Sequence, residues 1–303
     1  MKNKMKDYFD DFSNAKLRDT YSKKSLITKQ KSFAYAVKKV KVAGSDKDYL
    51  LKETSSPIAV ATVASANMYN NIDIATPTIT PLRPTKKGII QTIQPDITQL
   101  PGVDILLAND DREYMRITQS IMGRDKWEIF YNYDFQSRLL QIMTPECLEQ
   151  LQNMFLVDEL RTDIDRHALN FFLWRKKGSK LYEGIIVIDL EQMEVMTKCG
   201  TSKADFENFL YTPYYSVTPQ HKKDYLCYIE KVHHIRNLIQ EGVLTQNNID
   251  TMVSALKYDL ARDIKKINHK LGIYGGNDYN QSVVPIQRLQ DYNRKTIGKD
   301  LGL

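Results

Sequence analysis

Strand-like alternation begins near residue 33. Phe33-Ala34-Tyr35-Ala36-Val37-Lys38-Lys39-Val40-Lys41-Val42 sets β-favouring side chains among polar ones, as a strand with one covered face requires. Ala43-Gly44-Ser45-Asp46 supplies turn chemistry, and Asp48-Tyr49-Leu50-Leu51-Lys52-Glu53 reads as the returning strand of a hairpin. Thr54-Ser55-Ser56-Pro57 then has the form of a helix start, with Ser56 as N-cap and Pro57 at the first helical position. The Ala-rich residues 58–70 continue that helix. Two further strands are predicted over 76–82 and 88–94, joined by the loop 83–87. Pro95 closes the sheet pattern, because proline cannot donate to a ladder. Residues 1–32 are polar and charged and read as an arm, helical or partly ordered.

After Pro95 the period becomes mainly helical, over about 110–122, 135–143, 145–159, 220–240 and 246–271. Thr144-Pro145-Glu146 is a helix start with an acidic residue where the helix dipole favours it. Leu148, Leu151 and Phe155 form an apolar stripe that turns polar at Asp158-Glu159. The expected class is α+β: an arm at 1–32, a sheet-rich lobe at 33–95 and a larger helical lobe at 96–303.

Composition narrows the function classes. In 303 residues the apolar fraction is 42% and the aromatic fraction 10%, which is globular and not disordered. No apolar run reaches the roughly 20 residues of a membrane span, and the basic N-terminus is followed by no hydrophobic signal core. The expected location is the cytoplasm, with export into a host cell left open. Cys147, Cys199 and Cys227 show no Cys-x-x-Cys pair, so neither a disulfide framework nor a zinc site is indicated. A net charge of +6 favours polyanionic partners without selecting one: nucleotide, inositol phosphate, nucleic acid and acidic membrane all qualify.

One segment carries specific chemistry. Residues 163–172 read Asp163-Ile164-Asp165-Arg166-His167-Ala168-Leu169-Asn170-Phe171-Phe172. A polar loop from Trp174 to Gly184 follows, then the apolar run Ile185-Ile186-Val187-Ile188, ended by Asp189. Phosphoryl transfer needs a carboxylate to orient the attacking hydroxyl, oxygen ligands for Mg²⁺, and a cation on the phosphates. A carboxylate and an amide five residues apart on one loop, with a second carboxylate at a strand end, supply the first two. The other reading is a solvated helix-end cluster followed by a buried strand without function.

The segment resembles the Asp-Arg-His-x-x-Asn loop of phosphatidylinositol kinases and HipA-like kinases, a permuted form of the His-Arg-Asp-x-x-x-x-Asn loop of ordinary protein kinases. Four specified residues at about 5% each recur by chance roughly once in 10⁵ positions. The resemblance implies a bilobal kinase-like fold with Asp165 as the catalytic carboxylate, and Asn170 and Asp189 as ligands of Mg²⁺ or Mn²⁺. It also implies that Lys52, on the strand before the Pro57 helix, reaches the α- and β-phosphates of ATP. A surface lysine on a half-exposed strand is the alternative there. Ile93, Gln94 and Asp96 fall where such a fold holds adenine through backbone groups. Three parts of the ordinary kinase pattern are missing: a glycine-rich loop before Lys52, a Glu in the 57–70 helix, and an Ala-Pro-Glu after residue 190. Glu53, next to Lys52 on its strand, is expected on the opposite face.

The C-terminal region is basic. Lys222, Lys223, Arg262, Lys265 and Lys266 form either a solvated face or a docking site for an inositol polyphosphate, a phospholipid headgroup or nucleic acid, the inositol polyphosphate then acting as activator. The leading expectation is an ATP-dependent protein kinase of atypical type, similar to HipA-like enzymes or divergent bacterial effector kinases. An inositol or phosphoinositide headgroup kinase keeps the fold and changes the acceptor. A pseudokinase acting as a nucleotide-gated binding module is the non-catalytic alternative, given the missing elements. Nucleic-acid binding rests on charge alone, with no recognisable reader motif.

Overall fold

The computed structural model describes residues 27–34, 37–42, 45–54, 56–82, 90–106, 116, 119, 121, 126–161, 166, 167, 170–190, 235 and 237–256. Strands β1 (Ile27–Ala34), β2 (Val37–Val42), β3 (Asp48–Thr54), β4 (Thr80–Leu82) and β5 (Ile90–Pro95) form an antiparallel sheet in the order β1-β2-β3-β5-β4. Alternation gives this sheet two unlike faces. Val40, Val42, Tyr49, Leu51, Leu82 and Ile93 are buried together on one face. On the other, Val37, Lys52 and Thr92 stand in register, as do Lys39, Leu50 and Gln94.

Helix α1 (Ser56–Asn70) lies between β3 and β4 in the chain. Its Ala66, Met68 and Tyr69 enter the main core. Helices α2 (Glu128–Tyr131), α3 (Tyr133–Leu139), α4 (Pro145–Arg161) and α5 (Gln246–Leu256) contribute to the same core, and α5 packs on both α4 and α1. Asn132 caps α3, its side chain accepting from the Phe135 N–H at 3.0 Å. A second antiparallel sheet joins β6 (Val103–Ile105), β7 (Phe171–Lys176) and β8 (Gly184–Val187) in that order. All four β8 residues are buried. The segment after α1 meets this sheet: Ala75 forms a parallel bridge to Ile186 and accepts from the Val187 N–H at 2.9 Å. The chain is therefore a mixed α and β structure with two small sheets.

Several sequence expectations change. Residues 27–32, expected in the arm, belong to β1 and extend the sheet by one strand. The run read as one strand from 33 to 42 is split between β1 and β2. Gln30 pairs with Val40 across the ladder, a pairing that polar composition does not announce. The polar loop expected from Trp174 is strand as far as Lys176, because Phe171, Leu173 and Trp174 are buried and Arg175 lies over the Tyr182 ring, which leaves Lys176 as the exposed residue of the strand. Strand β6 was not foreseen, since three residues are too few for a period to register. Ser56 opens α1 instead of preceding it. The helix expected over 246–271 is described as far as Leu256, and the one over 220–240 only at 235 and 237–240. Of the helix expected at 110–122, residues 116, 119 and 121 are described, as helical.

Candidate functional site

A cavity of about 360 Å³ lies against the polar face of the first sheet. Lys52 and Gln94 line it from β3 and β5, and Asn170, Ile188, Asp189 and Leu190 line it from either end of the β7–β8 hairpin. The Lys52 Nζ donates to Asp189 Oδ1 at 2.9 Å, joining residues 137 positions apart. The side chains are 32% and 41% exposed, so solvent screens the pair and its contribution to stability is small. The pairing is instead a statement of proximity.

Asp189 sits at the exit of β8 with a φ of 54°, in the left-handed region that a non-glycine residue enters at some cost. Asn170 opens the hairpin at the other end. It is buried, it lines the cavity, and its N–H donates to the His167 carbonyl at 3.0 Å in a tight turn. Its carbonyl accepts from the Ile188 N–H at 3.1 Å, so the two ends of the hairpin are tied to each other. Two oxygen donors, an amide and a carboxylate, thus face one space. Mg²⁺ takes such a pair when phosphates and water complete its shell, so the residues present fit that ion. Among the described residues no group of three or more His, Cys, Asp or Glu could hold a metal without that help.

The side chains of the residues expected near adenine point to different places, which leaves the expected backbone contacts untouched. Gln94 reaches the cavity, whereas Ile93 is fully buried in the apolar cluster on the opposite sheet face. The Asp96 N–H donates to the Asp48 carbonyl at 2.9 Å. The Asp96 carboxylate caps the following turn through Thr98 and meets Lys39 at 2.7 Å. That hydrogen bond, opposed by burial, raises the Lys39 pKa above the ordinary lysine value. Glu53 lies on the face opposite Lys52, as the alternation requires, and bonds Lys38 and Gln91. Asp165 lies outside the described residues, as do Lys222, Lys223, Arg262, Lys265 and Lys266.

Sequence reasoning missed the threonines of the cavity wall. Thr62 on α1, Thr76 after it and Thr92 on β5 are all buried and all line the cavity. Among the described residues the Thr76 hydroxyl has no hydrogen-bond partner. Position Thr62 lies on the helix in which no Glu was found to face Lys52. No spacing signal marks these residues, since they come from three elements. Also missed was the fate of Asp158 and Glu159. Both are buried, Asp158 against Arg166 and Glu159 against Lys126, so the stripe of α4 does not turn to solvent there.

No protein-family model matches the chain, and no curated protein matches it in sequence. In structure the chain is similar to the Helicobacter pylori proinflammatory kinase CtkA, with 12% identity, a TM-score of 0.43, and coverage of 87% of this chain and 90% of that one. It is also similar to a chain of the Shewanella oneidensis MR-1 toxin–antitoxin complex of HipA, HipB and operator DNA. There the identity is 10% and the TM-score 0.48, over 91% of this chain and 66% of that one.

Proposed function

We propose that the chain is an ATP-dependent phosphotransferase of atypical-kinase type, with a protein hydroxyl as acceptor. The observation that carries this reading is the convergence of Lys52, Asn170 and Asp189 on one cavity from separate parts of the chain. In this reading residues 33–95, together with strand β1, make the small lobe and residues 96–303 the larger one. The nucleotide occupies the cavity with its base toward Gln94 and its phosphates toward Lys52.

Each side chain then has a separate task. The Lys52 ammonium would pair with phosphate oxygens in place of Asp189, and Asp189 and Asn170 would hold the metal through their side-chain oxygens. Bound Mg²⁺ supplies neutralisation of phosphate charge. Asp165, five residues before Asn170, accepts the proton of the attacking hydroxyl. The buried threonines add polar, uncharged groups to the cavity wall.

The test is transfer from γ-labelled ATP, with Mg²⁺ or Mn²⁺, to the chain itself, to mixed proteins and to phosphoinositides. Label on protein that disappears in Asp189→Ala and in Asp165→Ala supports the reading. Label confined to phosphoinositides replaces the acceptor. No transfer together with no metal-dependent ATP binding overturns the proposal.

A further inference from the structure

Arg166 follows the proposed catalytic carboxylate in sequence, yet its guanidinium faces the core. Its Nε donates to Asp158 Oδ2 at 2.9 Å and its NH2 to Asp158 Oδ1 at 3.0 Å, a two-pronged pair with a residue of α4. The NH2 also donates to the Tyr69 hydroxyl on α1 at 3.1 Å, and that hydroxyl donates in turn to Asp158. The NH1 donates to two main-chain carbonyls, those of Asn170 at 2.6 Å and Ile188 at 3.3 Å. Among the described residues the guanidinium makes these five hydrogen bonds, one from Nε and two from each terminal nitrogen. The Arg166 and Asp158 side chains are 5% and 2% exposed, so neither has a solvated alternative.

The two carbonyls are at informative places. One belongs to Asn170 itself, and the other immediately precedes Asp189. Both candidate metal ligands therefore hang from backbone that one planar group holds, with helices α1 and α4 behind it. We infer that Arg166 is a positioning residue that fixes the separation of Asn170 and Asp189, with Asp158 and Tyr69 as its base. This rests on the proposed role of those two residues as metal ligands. An arginine engaged in this way is not a phosphate-binding cation, which would have to present its donors to the cavity. A rigid fork can set the distance between two segments, whereas a lysine ammonium is a point charge that cannot span both. A residue serving only the fold would weaken every ligand alike; a positioning residue weakens the metal-dependent part.

The experiment uses the full chain, with Mn²⁺ and ATP as probe and ATP in EDTA as reference, both read by calorimetry. Amide hydrogen exchange over 170–190 is read on the ligand-free protein. R166K is expected to lower Mn²⁺-dependent ATP affinity about tenfold or more and to change ATP affinity in EDTA by less than about twofold. The Ile188 amide, bonded to the Asn170 carbonyl in the wild type, is expected to exchange faster in R166K. Tyr69→Phe removes one anchor and keeps the arginine. It should give the same pattern at smaller amplitude, and it decides the matter if R166K does not fold. Equal losses in both calorimetric arms, or unchanged exchange at Ile188, would overturn the inference. Equal wild-type affinity in Mn²⁺ and in EDTA would instead refute the metal reading of Asn170 and Asp189. In that case exchange at Ile188 still decides whether Arg166 holds the two segments together.

Discussion

The Lys52 ammonium and the Asp189 carboxylate stand 2.9 Å apart, at the edge of a cavity that neither element could build alone. The pair crosses from the first sheet to the end of the second. Helix α1 carries no Glu, and among the described residues Asp189 is a carboxylate that Lys52 meets. In the proposed function a nucleotide phosphate would compete with it for the lysine. Lys52→Ala is therefore expected to lower the transfer rate by about 10²-fold or more, because a donor aimed at developing charge is lost. The loss of an exposed ion pair should leave stability nearly unchanged. Rates of labelled phosphate transfer and a thermal melt on the same preparation check both halves.

Asp165 and Asp189 should fail in different ways. Asp189→Ala is expected to abolish the gain in ATP affinity that Mg²⁺ gives. Asp165→Ala should bind ATP and metal as the wild type does while turnover falls by about 10²- to 10⁴-fold, the range for a lost general base. Calorimetry with and without EDTA, beside a transfer assay, separates them. Parallel loss of binding in both variants would remove the division of labour.

Asp158→Ala removes from the buried Arg166 guanidinium the carboxylate that it bonds with two prongs. The expected cost is about 3–5 kcal/mol of unfolding free energy, as for other broken buried pairs. Asp158→Asn keeps an acceptor and should cost less. Urea unfolding followed by tryptophan fluorescence reports both, Trp127 and Trp174 being buried.

Gly184 begins β8 where there is no room for a side chain. A Cβ there would stand 2.6 Å from the Trp174 indole nitrogen and 2.8 Å from Gln150 Oε1. Gln150 cannot move freely, because that oxygen accepts the Ile185 N–H at 3.0 Å. Gly184→Ala should cost about 1–3 kcal/mol through overpacking, with the blue-shifted emission of a buried indole lost before the global transition. An unaltered melt would show that the hairpin repacks.

Burial pushes the Cys147 thiol from 9.0 up to about 12. At pH 8 its thiolate fraction is then roughly a thousandfold below that of an ordinary cysteine. Iodoacetamide should leave Cys147 unmodified in the folded chain and modify it in urea, as peptide mass spectrometry will report. The sign for stability follows from the raised value. The contribution is complete below the unfolded pKa of 9.0 and is lost as pH rises toward 12. Cys147→Ala should flatten the alkaline end of a stability profile.

Local patterns made part of this protein legible. Strand β3 alternates with a short apolar period, and α1 and α4 begin at serine or threonine with proline near the first turn. Such signals depend on residues within about one turn or one strand of each other, so the chain itself encodes them. The residue types for phosphoryl transfer were readable in the same way, as a carboxylate and an amide on one loop and a carboxylate after an apolar run. The short β6 and the first strand carried too little period to be seen.

Sequence by itself thus pointed to candidate residues for the proposed chemistry and to several of the elements, β3, α1 and α4 among them. Only the tertiary structure decided that Lys52 faces Asp189, that Ile93 turns into the apolar cluster, and that three threonines share the cavity wall. It also decided that Asp158, at the polar end of a helix stripe, is an internal partner of Arg166 and not a solvated acid. These are contacts between residues far apart in the chain, and no period or spacing encodes them. They form because burying the helices with the second sheet, and the apolar face of the first sheet in its own cluster, fixes which side chains must meet. A charge enclosed in this way persists only where an opposite charge is enclosed with it.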